Sequence, residues 1–256
     1  MPLDQVTIFG TTSADALPTR HSTGDGATPL RLGEHGELMT LPGMPWRQSL
    51  ADEGSYYLLT DATLDVATTI SGHAAPVLAD IDATMTKALV WLANIDGSTS
   101  TKRIYIDFVE ITVKTAGANG TSSLWAAAID LSTRYTSGGT ALTISSPTAG
   151  VTPTLTSASL TALGGAVVVP VETASHRRLG HGVIRPVIEV AADVLTFQCA
   201  EPFAAGRQVA APTGRATTIP LGPVVLPPGY AFMIGLAGVA QDTAGVYGIR
   251  AGVWYR

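Results

Sequence analysis

The chain has 256 residues, a net charge of −5, 46% hydrophobic residues and only 14% charged ones. That is enough apolar chain for one large domain or two small ones, and too apolar for intrinsic disorder. It carries no basic footprint for nucleic acid: Lys87, Lys102 and Lys114 are its only lysines, Arg177 and Arg178 its only adjacent arginines. The single cysteine, Cys199, excludes an intramolecular disulfide framework, and its apolar context VLTFQCAEPF reads as a buried structural thiol.

Residues 1–55 are rich in Pro and Gly, and no helix or strand period persists there. They read as an extended N-terminal arm. Its apolar residues, among them Ile8, Phe9, Leu30, Leu32, Leu38, Leu41 and Trp46, need a surface to cover, and a neighbouring subunit is the natural one. A short hairpin is expected at Thr28–Leu32 and Glu37–Leu41, turning through Gly33 to Gly36. The opening MPLDQVTIFG lacks a basic segment followed by a long apolar one, so no secretory leader is expected.

From Tyr56 the pattern turns to β. Residues 56–256 are expected to form the body. Asp61–Ser71 fits a strand or a short helical turn. Thr86–Ile95 (TKALVWLANI) is a continuous apolar run of strand length. Arg103–Thr115 (RIYIDFVEITVKT) alternates with Ile104, Ile106 and Phe108 on one face, then with Val109, Ile111 and Val113 on the other. A phase change inside one strand predicts a bulge or a strand passing between two sheets. Ala118-Asn119-Gly120 marks a turn, and Leu124–Leu131 is a further strand. Between Arg134 and Glu172 there is no charged residue, so solubility there rests on hydroxyls and backbone. Later strands are expected near 140–144, 165–171, 182–190, 193–199, 216–219, 230–239 and 246–256. In the last, Tyr247, Ile249, Ala251, Val253 and Tyr255 share a face. The apolar run 224–240 is broken by Pro227, Pro228 and Gly229 and is too short to span a bilayer. Pro227 and Pro228 preset a turn, and Gly229 permits its positive φ. Eight to ten short strands without a long amphipathic helix predict an all-β fold, a jelly-roll-like antiparallel β-sandwich.

The polar residues form no catalytic signature. Asp80 and Asp82 would share a face of an extended segment, too few oxygens for a cation site. Asp61 and Asp65 fit a cap or turn. His176-Arg177-Arg178-Leu179-Gly180-His181 is the densest polar cluster. It lacks the HExxH spacing of a zinc site and reads as a polar loop or an intersubunit ion-pair site. G-x-S-x-G, Walker A and G-x-G-x-x-G are all missing. No catalytic residue, metal ligand or cofactor is therefore expected.

Three features resemble accessory virion proteins of tailed bacteriophages. They are the arm segment Asp25-Gly-Ala-Thr-Pro-Leu-Arg-Leu-Gly-Glu-His-Gly-Glu-Leu38, the Thr/Ala/Gly-rich, lysine-poor body, and the closing Leu226-Pro-Pro-Gly-Tyr230 turn with its strand. The resemblance implies a jelly-roll body, an extended arm, trimers or other ring-like copies, and no catalysis. Its implied partners are further copies of the chain and the major capsid or tail proteins, in a virion assembled in the host cytoplasm, with no direct nucleic-acid contact. Decoration or cementing of the capsid is the expected role. A tail-associated adhesin or fibre anchor is the alternative, with Trp125, Tyr135 or Trp254 stacking on host sugars. A carbohydrate-binding module or hydrolase is a third.

Overall fold

Apolar residues recurring at a period of two, with Gly and Pro between the runs, give a chain of strands. The computed structural model describes residues 50–51, 54–61, 70–74, 77–82, 85–117, 123–148, 154–171, 176–185, 191–199, 209–210, 215–238 and 244–256. All belong to one compact unit, Leu50–Arg256. The expected arm up to residue 49, and the turn at Ala118-Asn119-Gly120, lie outside the described residues. In chain order the elements are β1 (Tyr56–Thr60), β2 (Ile70–Ser71), α1 (Leu78–Ile81), β3 (Lys87–Asn94), β4 (Ile104–Thr115), β5 (Ser123–Asp130), β6 (Thr140–Ala141) and β7 (Thr143–Ser145). They continue with β8 (Leu160–Val168), β9 (His176–Arg185), β10 (Val194–Gln198), β11 (Val209–Ala210), β12 (Arg215–Pro220), β13 (Val224–Leu226), β14 (Ala231–Gly238) and β15 (Val246–Tyr255).

Two sheets form a sandwich. The first runs β11-β12-β10-β4-β15-β1-β7, and the second runs β6-β8-β3-β14-β5-β9. Within them lies an eight-stranded frame of β1, β3, β4, β5, β9, β10, β14 and β15. Numbered along the chain, these eight are ordered 1-8-3-6 in one sheet and 2-7-4-5 in the other, and every pairing between them is antiparallel. That order is the jelly roll, as the strand pattern predicts. The remaining strands are additions: β7 and β8 widen the two sheets beside β1 and β3, and β12 joins β10 in a parallel pairing.

The main core fills the space between the sheets. Tyr57, Leu59, Val109, Ile111 and Phe197 of the first sheet meet Leu92, Ala127, Phe232 and Ile234 of the second. At about 25 cal/mol per Å² of apolar area, this burial is the main force holding the sheets together. The phase change in β4 is a bulge. The register against β15 shifts between Gly252 and Val253, opposite Phe108 and Ile106. Ile104 and Ile106 stay in the core, but Phe108 does not share their face; the Arg250 guanidinium lies 5.6 Å from its ring centre. Asp107 is buried at the bulge, where Tyr56 Oη donates to its Oδ2 at 2.7 Å and Cys199 N donates to its backbone oxygen at 2.7 Å.

A second apolar layer covers the outer face of the second sheet. Ile81, Met85, Ala88, Trp91, Ala126, Ala128, Val167 and Met233 pack there. β3 and β14 are thus covered on both faces, which explains their unbroken apolar runs. Part of the charge-free stretch becomes β8, where Leu160, Ala162 and Val167 are buried. The turn before β14 forms as predicted, with Tyr230 N donating to Pro227 O at 3.2 Å and Gly229 at φ +84°. Asp80 and Asp82 are not on an extended segment: Asp80 lies in the one-turn helix α1, and Asp82 follows it. Asp80 Oδ2 accepts from Val77 N and from Lys87 Nζ, both at 2.9 Å, so the carboxylate caps the turn and ties it to β3.

Candidate functional site

The sequence His176–His181, expected as a loop, is instead the first part of β9, the edge of the second sheet. The reason lies in its glycines. A Cβ at Gly180 would come within 3.0 Å of the Trp125 ring, and one at Gly182 within 2.9 Å of Trp125 Nε1. These glycines do not break the strand; they let the indole of β5 lie under it. Held there, Trp125 meets Phe197 of β10 edge to face, at 5.4 Å and 70°.

The opposite side chains of β9 face outward. Leu124 pairs with Val183, Ala126 with His181 and Ala128 with Arg178, with a register shift between Ala127 and Ala128. Beside this ladder sits α1. Together they leave a groove of about 260 Å³, floored by Leu124 and Ala126 and walled by Leu78, Ile81, Val183 and His181. Arg178 spans its end: Nη1 donates to Asp82 Oδ1 at 3.0 Å and Nη2 to Ile81 O at 3.2 Å. The second bond satisfies a helix-terminal carbonyl and holds α1 beside the strand. Leu78 is 54% exposed, Val77 48% and Val183 60%.

The four polar residues singled out by sequence do not act as one cluster. Arg178 and His181 line the groove, whereas His176 and Arg177 start the strand outside it. Arg177 is exposed and has no ion-pair partner among the described residues. The predicted arm residues Ile8, Phe9, Leu30, Leu32, Leu38, Leu41 and Trp46 lie outside the described residues. Of the three aromatics proposed for sugars, Trp125 packs against the core, Trp254 stacks on Tyr105 at 5.1 Å and 3°, and Tyr135 is exposed with its ring 5.5 Å from Trp91.

Chemically reactive groups are held inert elsewhere. Burial, and secondarily the Asp107 carboxylate, push the Cys199 thiol up to about 12, so it stays protonated and non-nucleophilic at neutral pH. His73 Nε2 lies 3.1 Å from Ala88 O and 3.0 Å from Val167 O, so that nitrogen carries the proton and donates to both. Sequence reasoning missed Asp107, Asp130 and Arg134. The last two form a buried ion pair, Arg134 Nε to Asp130 Oδ2 at 2.6 Å. Asp107 had a signal, since it is the carboxylate at the phase change of β4.

Among the described residues, no group of three or more His, Cys, Asp or Glu is placed to hold a metal ion. No helix there is long and apolar enough to cross a membrane. No protein-family model, curated protein or solved structure matches the chain.

Proposed function

We propose that this chain is a structural protein of a tailed-bacteriophage virion, decorating or cementing the capsid through its N-terminal residues and its jelly-roll body. The observation that carries the reading is β9 at the edge of the second sheet among the described strands, with a groove beside it where Leu78 and Val183 are exposed. Such a surface suits protein docking better than capture of a small polar substrate. The phage assignment itself rests on the arm, the lysine-poor body and the Leu226–Tyr230 turn noted in the sequence.

Attachment would work by burial. Covering on the order of 1,000 Å² of apolar area per copy contributes roughly 25 kcal/mol before the costs of association. The experiment is co-sedimentation with capsids lacking this protein. Full-length protein should pellet with the shells, and protein lacking residues 1–50 should stay in the supernatant with an unchanged circular-dichroism spectrum. Normal attachment of the truncated protein would overturn the mechanism. Light scattering at several concentrations should also give a closed oligomer, a trimer by preference, whose mass does not vary with concentration.

A further inference from the structure

The short strand β2 belongs to the first sheet through β15, where Ile70 stands opposite Tyr247 and Ser71 opposite Val246. It also rests on the second sheet. Between the pairs Ala88–Val167 and Val90–Gly164, the two residues Gly165 and Ala166 of β8 oppose the single Leu89 of β3, which makes a bulge. Gly165 has φ +104°, and a Cβ there would lie 2.9 Å from both Ile70 Cγ2 and Ser71 O, so the bulge is shaped to β2. Ile70 fills the main core. Gly72 N donates to Gly245 O at 2.9 Å, and a Cβ at Gly72 would lie 2.7 Å from the Tyr247 ring. His73 completes the crossing, because Ala88 O and Val167 O, its two acceptors, belong to the pair at which the bulge begins. Ile70–His73 is thus a strap that ties the first sheet to a bulge of the second.

One ring nitrogen serves both carbonyls, and Nδ1 of His73 has no partner among the described residues. A proton taken from acid solution goes to Nδ1. The charged groups that face the ring are Lys87 of β3 and Asp80 of α1, which already pair with each other at 2.9 Å. β2 and β8 carry no ionisable side chain, and β15 brings Tyr247 against the strap. No carboxylate lacking its own cation therefore faces the imidazolium among the described residues, and water solvates it better than this half-buried site does. Leaving costs little structure, since β2 pairs with β15 at two positions and β4 pairs with it at ten. We propose that His73 is a proton-operated latch: protonation at Nδ1 frees Ile70–His73 from the bulge and admits water to Ile70, while β4 and β15 stay paired.

The test is residue-resolved hydrogen exchange of the full-length chain at about pH 7.5 and about pH 5.5, read as protection factors so that the intrinsic pH dependence cancels. Protection of the Gly72 amide should fall several-fold on acidification. About tenfold is the ceiling, because the lower pH lies roughly one unit below the 6.5 of an unburied imidazole. The amides of the β4–β15 pair should keep their protection. In His73→Gln and His73→Ala, Gly72 should show the same protection at both pH values, whatever its level, because neither side chain titrates. Constant protection of Gly72 in the native chain overturns the inference. So does an equal fall in either variant, which would assign the acid response to another group. A matching fall across β4 and β15 also overturns it, since the opening would then be global.

Discussion

His73 illustrates how single side chains complete this fold. It reaches two ladder carbonyls, those of Ala88 and Val167, beside the register shift between β3 and β8. Burial lowers its pKa below the usual 6.5; the two carbonyl bonds act in the opposite direction, nearby Lys87 adds to the lowering, and Asp80 opposes it. Below pH 6.5 the unfolded chain therefore binds protons that the folded chain refuses. The contribution is complete above the unfolded pKa and is lost as pH falls from 6.5 through the folded value. Urea midpoints at about pH 7.5 and about pH 5.5 should show a larger loss for the native protein than for His73→Gln. An equal loss would mean that other groups carry the acid sensitivity. The buried pair Asp130–Arg134 makes a second demand. Arg134→Ala strands a carboxylate with no solvent around it, and should cost about 3–5 kcal/mol by denaturant unfolding.

At the scale of elements, β5 and β9 depend on each other through Trp125. Gly182→Ala places a methyl 2.9 Å from Trp125 Nε1, on a ring already fixed by Phe197. We expect a loss of about 1–3 kcal/mol, partly recovered when Trp125→Phe is added, because the smaller ring vacates the space. Additive losses in the double variant would disprove the coupling. This pair also shows what the sequence does and does not reveal. β3, β4 and β14 are legible because their apolar runs are long enough to leave no alternative. The bulge in β4 is legible from its phase change. The first part of β9, His176–His181, is not, although a strand is expected from about 182, because Gly180 and Gly182 act through a tryptophan more than fifty residues away, which local pattern does not report. The same limit hides the groove, since α1 meets β9 only through tertiary packing and the Asp82–Arg178 pair, which joins residues 96 apart. The thiol at Cys199 was legible because its apolar context alone predicts burial.

In the whole molecule, the first sheet is organised around its last strand. β15 lies between β4 and β1, pairing over ten positions with one and five with the other. From it, Tyr247, Ile249, Ala251 and Val253 all enter the main core. Removing residues 246–256 should therefore abolish the cooperative unfolding transition rather than lower its midpoint. A truncated chain with a sharp, shifted melt would show that the other strands suffice. The jelly-roll order itself comes from such distant pairings, so the sequence predicts the strands and the fold class while the partners of each strand emerge only in three dimensions.

Placing the centre of a sheet so far along the chain from β1 sets a schedule for synthesis. At about 5–20 residues per second, β1 leaves the ribosome on the order of ten seconds or more before β15 exists. During that wait β7, which binds the other edge of β1, is its only partner yet made among the described strands. A pause late in translation would prolong exposure of β1 and β4, whereas a pause before β1 would not. Production of this protein should thus be most sensitive to slow codons between β10 and β15, after β4 is made and before its central neighbour is.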